Sequence, residues 1–303
     1  MRWNTKGVIY NVSGEFGWMN SHAQVPVVLP MTDRYRVYFS TRREQTESRV
    51  ARIDLSLDWK HVLDIAKEPV LDLGPPGTFD EHGNMPSSIV EHEGLISMYY
   101  SGWSRRTETP YANFTGLAIS KDSGLTFEKV SLGPVIAQDT YDPYSATSPD
   151  VIFDNGVLHC YYCSGTGWLL RDGKYEHVYD IKYATSTDGI HWQKEKRSIL
   201  PQLTEEEAIT RPSVAKVEDD YFMWFCSRGT IDFREGINSY RIGVARSRDL
   251  VNWTRSEQWV DLPTTEHDNR MQAYPYVLNQ GGKLTMLSVL ILSILNGRSS
   301  IYK

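Results

Sequence analysis

One pattern recurs five times along this chain of 303 residues. A proline begins a short apolar stretch, a polar turn follows, and an aromatic-rich stretch comes next, as in MPSSIV and LISMYYSGW; in the fifth copy this last stretch is the weaker KLTMLSV. The first two prolines are 60 residues apart, and each later interval is 63 residues. A fixed period with several short strands in each copy is typical of β-propellers, because one blade cannot bury both of its faces alone. The anchor prolines are Pro26, Pro86, Pro149, Pro212 and Pro275.

The repeat predicts an all-β fold, namely a five-bladed β-propeller that occupies residues 1–303 as a single domain. A two-sheet sandwich with coincidental spacing is the alternative, and four motifs in the same register disfavour it. Residues 6–12 resemble a strand that precedes the first copy. We expect this N-terminal strand to close the last blade, because a blade shared by both chain ends removes an open sheet edge.

The fifth copy is irregular at its end. After KLTMLSV the chain continues as LILSILNGRSSIYK, with no polar turn between the two apolar stretches. We therefore expect the last ten or so residues to pack poorly in the position of the third strand.

The overall composition narrows the classes of partner. The net charge of −6 gives no support for binding nucleic acid. The start of the chain has no long apolar segment, and the longest apolar run, 284–295, is too short to span a bilayer. We expect a cytoplasmic protein without a membrane partner, and the oligomeric state stays open. We predict neither a cofactor nor a metal. The three cysteines, Cys160, Cys163 and Cys226, are expected to be free buried thiols in a reducing compartment.

The stretches just before the inner strands are where we expect chemistry. In a propeller these loops line one mouth of the central channel, and loops on a rigid scaffold concentrate binding groups. A solvated loop explains any one polar residue, but it explains poorly why carboxylates recur beside amide or basic side chains in four copies. The carboxylates singled out are Asp80, Asp142 and Glu207, and the predicted binding residues are His22, Gln24, His82, Asn84, Thr147, Arg211, Asp268, Arg270 and Gln272.

Arginines and tryptophans end several of the second strands. Arg42 and Arg43 end that of the first copy, and Arg228 ends that of the fourth. Guanidinium groups suit phosphate or carboxylate ligands, although structural pairing with nearby acids is an equal alternative. Trp103 and Trp168 each close a strand end and are predicted either to stack on a sugar or to pack between blades.

Three turns carry an aspartate at the same place, in SKDSGLTF, STDGIHW and SRDLVNW. They resemble the Asp-box turns of sugar-active propellers. We expect Asp122, Asp188 and Asp249 to accept hydrogen bonds from turn amides and to have no catalytic part.

Residues 22–286 resemble the five-bladed propeller superfamily of arabinanases, xylosidases, invertases, levansucrases and mannoside phosphorylases. SPDVIFDNGVLHCYYCSG is similar to a strand pair of the arabinanase-like enzymes, and FGWMNSHAQVP begins like the WMNDPNG stretch of invertases. ITRPSVAKVEDDYFMWFCSRG is similar to glycosidases associated with bacterial surface-polysaccharide synthesis. The resemblance covers nearly the whole chain and is specific for the fold more than for the activity.

The chain also departs from that superfamily. Ser21 stands where invertase-like enzymes have a nucleophilic aspartate, and Val25 stands where arabinanase-like enzymes have an aspartate before the anchor proline. Thr210 and Arg211 replace the Glu-Gly of the acid motif. Two-carboxylate hydrolysis needs an acid on one side of the bond and a base or nucleophile on the other, so any such pair has to come from other blades.

The resemblance implies a carbohydrate-active enzyme of bacterial glycan metabolism that acts on a glycosidic bond, as hydrolase, phosphorylase or transferase. Asp80 or Asp142 would then be the base or orienting group, and Glu207 the acid. The substrate would be a carbohydrate or a sugar phosphate, because mannoside phosphorylases combine one carboxyl acid with a phosphate held by basic residues. The alternative is a non-catalytic propeller that binds glycans or sugar phosphates.

Overall fold

The computed structural model describes residues 3–14, 16–43, 47–92, 94–233, 238–258, 260, 271–291 and 299–302, without the side chains of 290, 291 and 299–302. Within these ranges every regular element is a β-strand. The strands in chain order are β1 (Val8–Asn11), β2 (Ser21–Pro30), β3 (Tyr35–Arg43), β4 (Glu47–Leu55), β5 (Val62–Ile65), β6 (Gly83–His92), β7 (Leu95–Arg105), β8 (Tyr111–Ser120), β9 (Glu128–Lys129), β10 (Ala146–Asp154), β11 (Val157–Arg171), β12 (Lys174–Ser186), β13 (Gln193–Lys194), β14 (Ala208–Val217), β15 (Asp220–Arg228), β16 (Arg241–Ser247), β17 (Thr254–Arg255), β18 (Gln272–Gln280), β19 (Lys283–Ile291) and β20 (Ser299–Tyr302).

Antiparallel pairing groups the described strands into units of four, which we call blades one to five. Blade one contains β2 to β5, and the next three blades contain β6 to β9, β10 to β13 and β14 to β17. Blade five contains β18, β19, β20 and β1. The first strand of each blade contacts the first strand of the next, and β18 contacts β2, so these inner strands enclose a central channel. The predicted all-β propeller fold is confirmed.

The N-terminal strand closes the last blade, as predicted. β1 pairs antiparallel with β20, with Val8 opposite Tyr302 and Asn11 opposite Ser300. Trp3 packs edge-on against Trp224 of blade four, with ring centroids 6.1 Å apart. Both chain ends therefore join one sheet, which covers an edge that would otherwise be open. Residues 292–298 and 303, most of the C-terminal stretch, lie outside the described residues. The expectation that this stretch packs poorly therefore stays a prediction.

Aromatic side chains fill the space between neighbouring blades. Tyr38, Met98, Tyr100 and Phe127 belong to one buried cluster shared by blades one and two. Fully burying a large apolar side chain stabilises the fold by roughly 1.5–3 kcal/mol. Aromatic residues recur at the same place in the second strands of the first four copies, so the same kind of packing is repeated between these blades.

The residue before the anchor proline has an unusual backbone conformation in four blades. The φ angles are 47° at Val25, 48° at Ser148, 56° at Arg211 and 55° at Tyr274. Each lies at a break in the pairing register of its inner strand. A non-glycine residue with positive φ costs on the order of 1–3 kcal/mol, and such strain clusters at functional sites. The bulges lie at the leading ends of the inner strands and therefore surround one mouth of the channel.

Second-strand side chains hold these bulges in place. The backbone N–H of Arg211 donates to Cys163 Sγ at 3.4 Å, and that of Tyr274 donates to Cys226 Sγ at 3.4 Å. Ser101, on the second strand of blade two, acts in the same way: its hydroxyl oxygen accepts a hydrogen bond from the backbone N–H of Ser148 in blade three at 2.9 Å. The cysteines are free and buried, as predicted, and burial raises the pKa values of the thiols of Cys163 and Cys226 to about 11 and about 12.

The aspartates of the three turns have the predicted structural role. Asp122 accepts from Thr126 N at 3.0 Å, Asp188 from His191 N at 2.8 Å and Asp249 from Asn252 N at 2.7 Å. These bonds fix the link between the third and fourth strands of a blade.

Candidate functional site at the channel mouth

The three predicted catalytic carboxylates each form an ion pair inside their own blade. Asp80 is buried and contacts Lys129 Nζ at 2.6 Å, and it accepts a hydrogen bond from Tyr100 Oη at 2.9 Å. Lys129 lies on β9, the outermost strand of blade two. The contact therefore connects the loop before β6 to the far side of the same sheet.

Asp142 repeats this arrangement in blade three with more partners. It is fully buried and contacts Lys194 Nζ at 2.7 Å and Lys182 Nζ at 3.1 Å. Tyr162 and Ser164 donate their hydroxyls to it at 3.0 and 2.6 Å. All of these partners belong to blade three.

Glu207 makes a bidentate contact with Arg255, at 2.6 and 3.0 Å, in blade four. Burial raises the pKa of Glu207, but hydrogen bonds from Arg255, Leu203 N and Ser227 outweigh burial and leave that pKa lowered. A carboxylate with a lowered pKa stays ionised at neutral pH. This favours a structural or basic role for Glu207 over the predicted role as proton donor.

We call Asp80–Lys129, Asp142–Lys194 and Glu207–Arg255 the loop ion pairs. Each joins the loop before an inner strand to the fourth strand of the same blade. The described structure shows no contact between any two of the three carboxylates. The assignment of catalytic roles to Asp80, Asp142 and Glu207 therefore stays a prediction.

Arg211 lies inside the channel and is 1% exposed. Its guanidinium donates to the carbonyl oxygen of Pro26 at 3.0 Å and to that of Ser87, so it connects blade four to blades one and two. This placement favours a structural role for Arg211 over the predicted contact with a ligand. Asp150, which is buried nearby, accepts from Val214 N at 2.6 Å, and burial raises the pKa of Asp150 to about 6.

Two predicted binding residues present unsatisfied polar atoms close to the mouth. Asn84 is fully buried and donates to Asp72 O at 2.7 Å, but its Oδ1 has no partner among the described residues. Thr147 occupies the matching place in blade three, and its buried Oγ1 likewise has no hydrogen-bond partner in the described ranges. Buried polar atoms normally have a hydrogen-bond partner, so these two are available to water or to a ligand.

Among the described residues, Arg42 is a guanidinium at the mouth that is available to an anion. It lies half-buried opposite Ser21 at the end of β3, and no hydrogen bond or carboxylate partner for its side chain occurs in the described ranges. Burial lowers the pKa of Arg42, but a guanidinium stays protonated in proteins. Burial and then the charge of Arg42 lower the pKa of the adjacent His22 to about 4, so that imidazole is neutral at physiological pH.

Arg228 is a second cation without a carboxylate partner among the described residues. Its guanidinium donates to Tyr240 Oη at 3.1 Å, to Gly229 O at 2.8 Å and to His177 O at 3.0 Å. It also lies 3.9 Å from the ring centroid of Phe233. All of these acceptors are neutral, so the positive charge of Arg228 is positioned by hydrogen bonds without being neutralised.

Tyrosines connect the two cations. Tyr274, on the bulge of blade five, is near Arg42, and its ring lies 5.5 Å from that of Tyr240. The hydroxyl of Tyr240 contacts that of Tyr179 at 3.3 Å. We call Arg42, His22, Tyr274, Tyr240 and Arg228 the mouth cluster.

An aromatic stack extends the mouth cluster over blade three. Trp168 and His177 stack in parallel, with centroids 4.0 Å apart and planes 8° from parallel. Tyr111 of blade two packs edge-on against Trp168 at 5.2 Å. Burial and then Arg228 lower the pKa of His177 to about 3, so this ring is also neutral. Trp168 is half-buried, and its predicted stacking on a sugar stays a prediction.

The remaining predicted residues divide into three groups. Trp103 donates its Nε1 to Ser48 Oγ at 2.7 Å and stacks with His82 at 5.9 Å, so it joins blades one and two. Gln24 and Gln272 lie half-buried at the leading ends of β2 and β18, and Arg43 is exposed at the end of β3. Asp268 and Arg270 lie outside the described residues.

The described residues contain no group of three or more histidine, cysteine, aspartate or glutamate side chains arranged to hold a metal ion. They also contain no helix with the length and apolar character needed to cross a membrane.

No protein-family model matches the chain. It is 37% identical over 293 residues to the uncharacterized protein MT1551 of Mycobacterium tuberculosis, covering 95% of this chain and 94% of that one. The chain belongs to the same family as that protein. It is also 27% identical over 169 residues, about half of each chain, to a 1,2-beta-oligomannan phosphorylase of Thermoanaerobacter.

The fold matches that of a solved glycosidase. The native arabinanase Arb43A of Bacillus subtilis superimposes with a TM-score of 0.67 at 15% identity, covering 98% of this chain and 96% of the arabinanase. Identity at this level shows the shared fold. It agrees with the predicted propeller fold.

Several residues of this site have little distinguishing signal in the sequence. Tyr240, Tyr274, His177 and Tyr111 were not predicted, because aromatic residues recur throughout the chain and their positions do not distinguish mouth from core. The signal that was available is the residue before each anchor proline, which is a different type in every copy. Tyr274 could have been found in that way.

Proposed function

We propose that this protein is a carbohydrate-active enzyme that acts on a glycosidic bond, and that its reaction involves an anionic group, with inorganic phosphate as the first candidate. The single observation that carries the proposal is Arg42, a half-buried guanidinium without a carboxylate partner in the described part of the chain. A desolvated cation beside a neutral histidine favours an anion, and guanidinium groups match phosphate geometry.

Three further features support a carbohydrate substrate. The Trp168–His177 stack gives the mouth an aromatic wall, and Asn84 and Thr147 present unsatisfied polar atoms beside it. Arg228 adds a second charge that no carboxylate of the described residues neutralises. The partial similarity to an oligomannan phosphorylase favours phosphorolysis over hydrolysis as the reaction.

A glycan-binding protein without catalysis is the second candidate, and a specific observation favours it. The residues before the five anchor prolines include no carboxylate, and the three predicted acids are held in the loop ion pairs. Asp80, Asp142 and Glu207 are nonetheless retained as the proposed catalytic groups, because a group held by an ion pair can act once substrate displaces its partner.

The test uses the intact chain with β-1,2-linked mannan oligosaccharides and a panel of other glycosides. Each is incubated with and without inorganic phosphate, and sugar 1-phosphate and new reducing ends are measured separately. We expect sugar 1-phosphate to form only when phosphate is present. Arg42→Ala should abolish most of the sugar 1-phosphate formation. Arg248→Ala removes an exposed arginine at the opposite end of blade four and is the matched control, which should keep that formation.

The outcomes separate the candidates. New reducing ends without phosphate dependence would replace phosphorolysis by hydrolysis. Binding of a glycan without any bond cleavage would support the non-catalytic alternative.

A further inference from the structure

The longest hairpin among the described residues is the arm, residues 165–177, at the mouth end of blade three. β11 has 15 residues and β12 has 13, whereas the other second strands have 9 to 11. The turn between them is Asp172-Gly173, with φ angles of 48° and 75°. Two residues with positive φ form the type I′ turn that suits a tight hairpin. The arm is therefore a regular, well-formed extension of the sheet.

One face of the arm carries two successive apolar pairs. Trp168 lies opposite His177, and Leu170 lies opposite Tyr175, two residues farther out. Residues two apart in a strand share a face and are separated by about 7 Å. The inner pair forms the wall of the mouth, and the outer pair is exposed, Leu170 by 56% and Tyr175 by 39%. The apolar surface thus continues outward from the candidate site.

The arm is held in position from its other side and at its base. Arg171 contacts Glu206 at 2.8 Å, and Thr166 donates to Gln202 at 3.0 Å, both in the loop before β14. At the base, a Cβ on Gly165 would lie 2.5 Å from His177 Nε2 and 2.8 Å from the Cβ of Tyr144. The glycine therefore allows Tyr144, which is 43% exposed, to approach the arm closely.

We infer that the arm is a binding surface for the continuation of a glycan chain whose end occupies the mouth. Tyr175 and Leu170 form its outer contact, and Tyr144 lies beside its base. A sugar ring has an apolar face that packs on aromatic and aliphatic side chains, and its hydroxyls keep the rest of the chain in water. The inference takes from the proposed function the premise that the substrate is a carbohydrate, and it adds that this carbohydrate is an oligomer.

The size of the surface favours a glycan over a protein partner. A stable protein interface buries about 800 Å² on each side, which a patch of three exposed side chains does not supply. A linear chain needs only one or two side chains for each sugar. The surface is also continuous with the candidate site along one strand pair.

The test measures binding apart from catalysis. The intact protein is titrated on an array that presents each of many glycans as monosaccharide, disaccharide and tetrasaccharide. We expect at least one glycan for which the tetrasaccharide binds about tenfold more tightly than the monosaccharide. In the double variant Leu170→Ser, Tyr175→Ala that ratio should fall close to one. Leu57→Ser, at the other end of blade one and 50% exposed, is the matched control and should keep the ratio.

Three results would overturn the inference: equal affinity for short and long forms, a length preference that survives in the double variant, or no binding to any oligosaccharide. Turnover is assayed in parallel. Arm-dependent binding without cleavage or phosphorolysis would contradict the proposed reaction while supporting the role of the arm.

Discussion

Glu207 and Arg228 lie close together in blade four, since Glu207 precedes Ala208, which pairs with Arg228 across β14 and β15. Their surroundings are opposite. Glu207 makes a bidentate contact with Arg255, whereas the partners of Arg228 among the described residues are neutral oxygens and aromatic rings. The first charge is neutralised within its blade, and the second keeps its field at the channel mouth.

The same contrast holds for the loop ion pairs and the mouth cluster as a whole. The loop ion pairs recur in blades two, three and four, which is what a structural requirement of a repeated unit produces. The two cations of the mouth cluster, Arg42 and Arg228, lie at the ends of the second strands of blades one and four, and neither has a carboxylate partner among the described residues. In a repeat protein, a charge that recurs with its partner points to stability, whereas a charge held in position without such a partner points to function.

The largest effect that would test this contrast is expected from Asp142→Ala. It would leave the ammonium group of Lys182 without its carboxylate, and Lys194 with Asp139 as its remaining one. Removing one partner of a buried ion pair destabilises by about 3–5 kcal/mol. Denaturant unfolding should show that loss. A variant of unchanged stability that has lost all activity would instead support the catalytic role predicted for Asp142.

Arg42→Ala is expected to weaken phosphate binding while leaving the stability of the fold nearly unchanged. The guanidinium has no partner among the described residues, so we expect the free energy of unfolding to change by less than about 0.5 kcal/mol. Binding of phosphate should weaken by about 10- to 100-fold, which corresponds to about 1.4–2.8 kcal/mol. The measurement is the rise of the melting temperature with phosphate concentration. An equal rise in the variant and in Arg248→Ala would remove Arg42 from the anion site.

Asp150→Asn tests a buried carboxyl group that belongs neither to the loop ion pairs nor to the mouth cluster. Its pKa in the folded protein is raised to about 6 by burial, above the unfolded value near 4. The folded state therefore binds the proton more tightly, so this residue makes folding less favourable as pH rises from 4 through 6. Asparagine keeps an oxygen for the N–H of Val214 and removes the charge. We expect a gain of about 1–3 kcal/mol at pH 8 and little change at pH 4.

Unfolding curves at the two pH values measure the difference between Asp150→Asn and the parent. A loss of stability at pH 8 would show that the ionised carboxylate is stabilised in the channel, with the nearby Arg211 as its partner.

The smallest effect is expected from Asp122→Ala. Its carboxylate accepts hydrogen bonds from Thr126 and Ser120, and the pKa of Asp122 is lowered to about 2 despite the opposing effect of burial. The contribution to stability is present above the unfolded pKa and is lost as pH falls from 4 to 2. We expect a loss of about 1 kcal/mol at pH 7 and unchanged phosphate binding. A change in phosphate binding would contradict the purely structural role that we assign to Asp122.

The sequence by itself determined the fold class and the closure of the ring. The period of the anchor prolines, the alternation within each strand and the turn residues are local features, and each copy repeats them. The aspartates of the turns and the buried cysteines could be predicted for the same reason, since their partners lie within a few residues or at a fixed place in the neighbouring copy. The position of the mouth was also determined, because every inner strand begins at the same end.

Only the tertiary structure decided which charges at the mouth are neutralised. Lys129, Lys194 and Arg255 lie 48 to 52 residues after their carboxylates, at the outermost strand of each blade, and the sequence does not show that the sheet returns them to the loop. The sequence predicted Arg211 to contact a ligand, yet its side chain reaches across the channel to blades one and two. Electrostatic interactions depend on distance and burial in three dimensions, whereas the repeat pattern records only the order of residues along the chain.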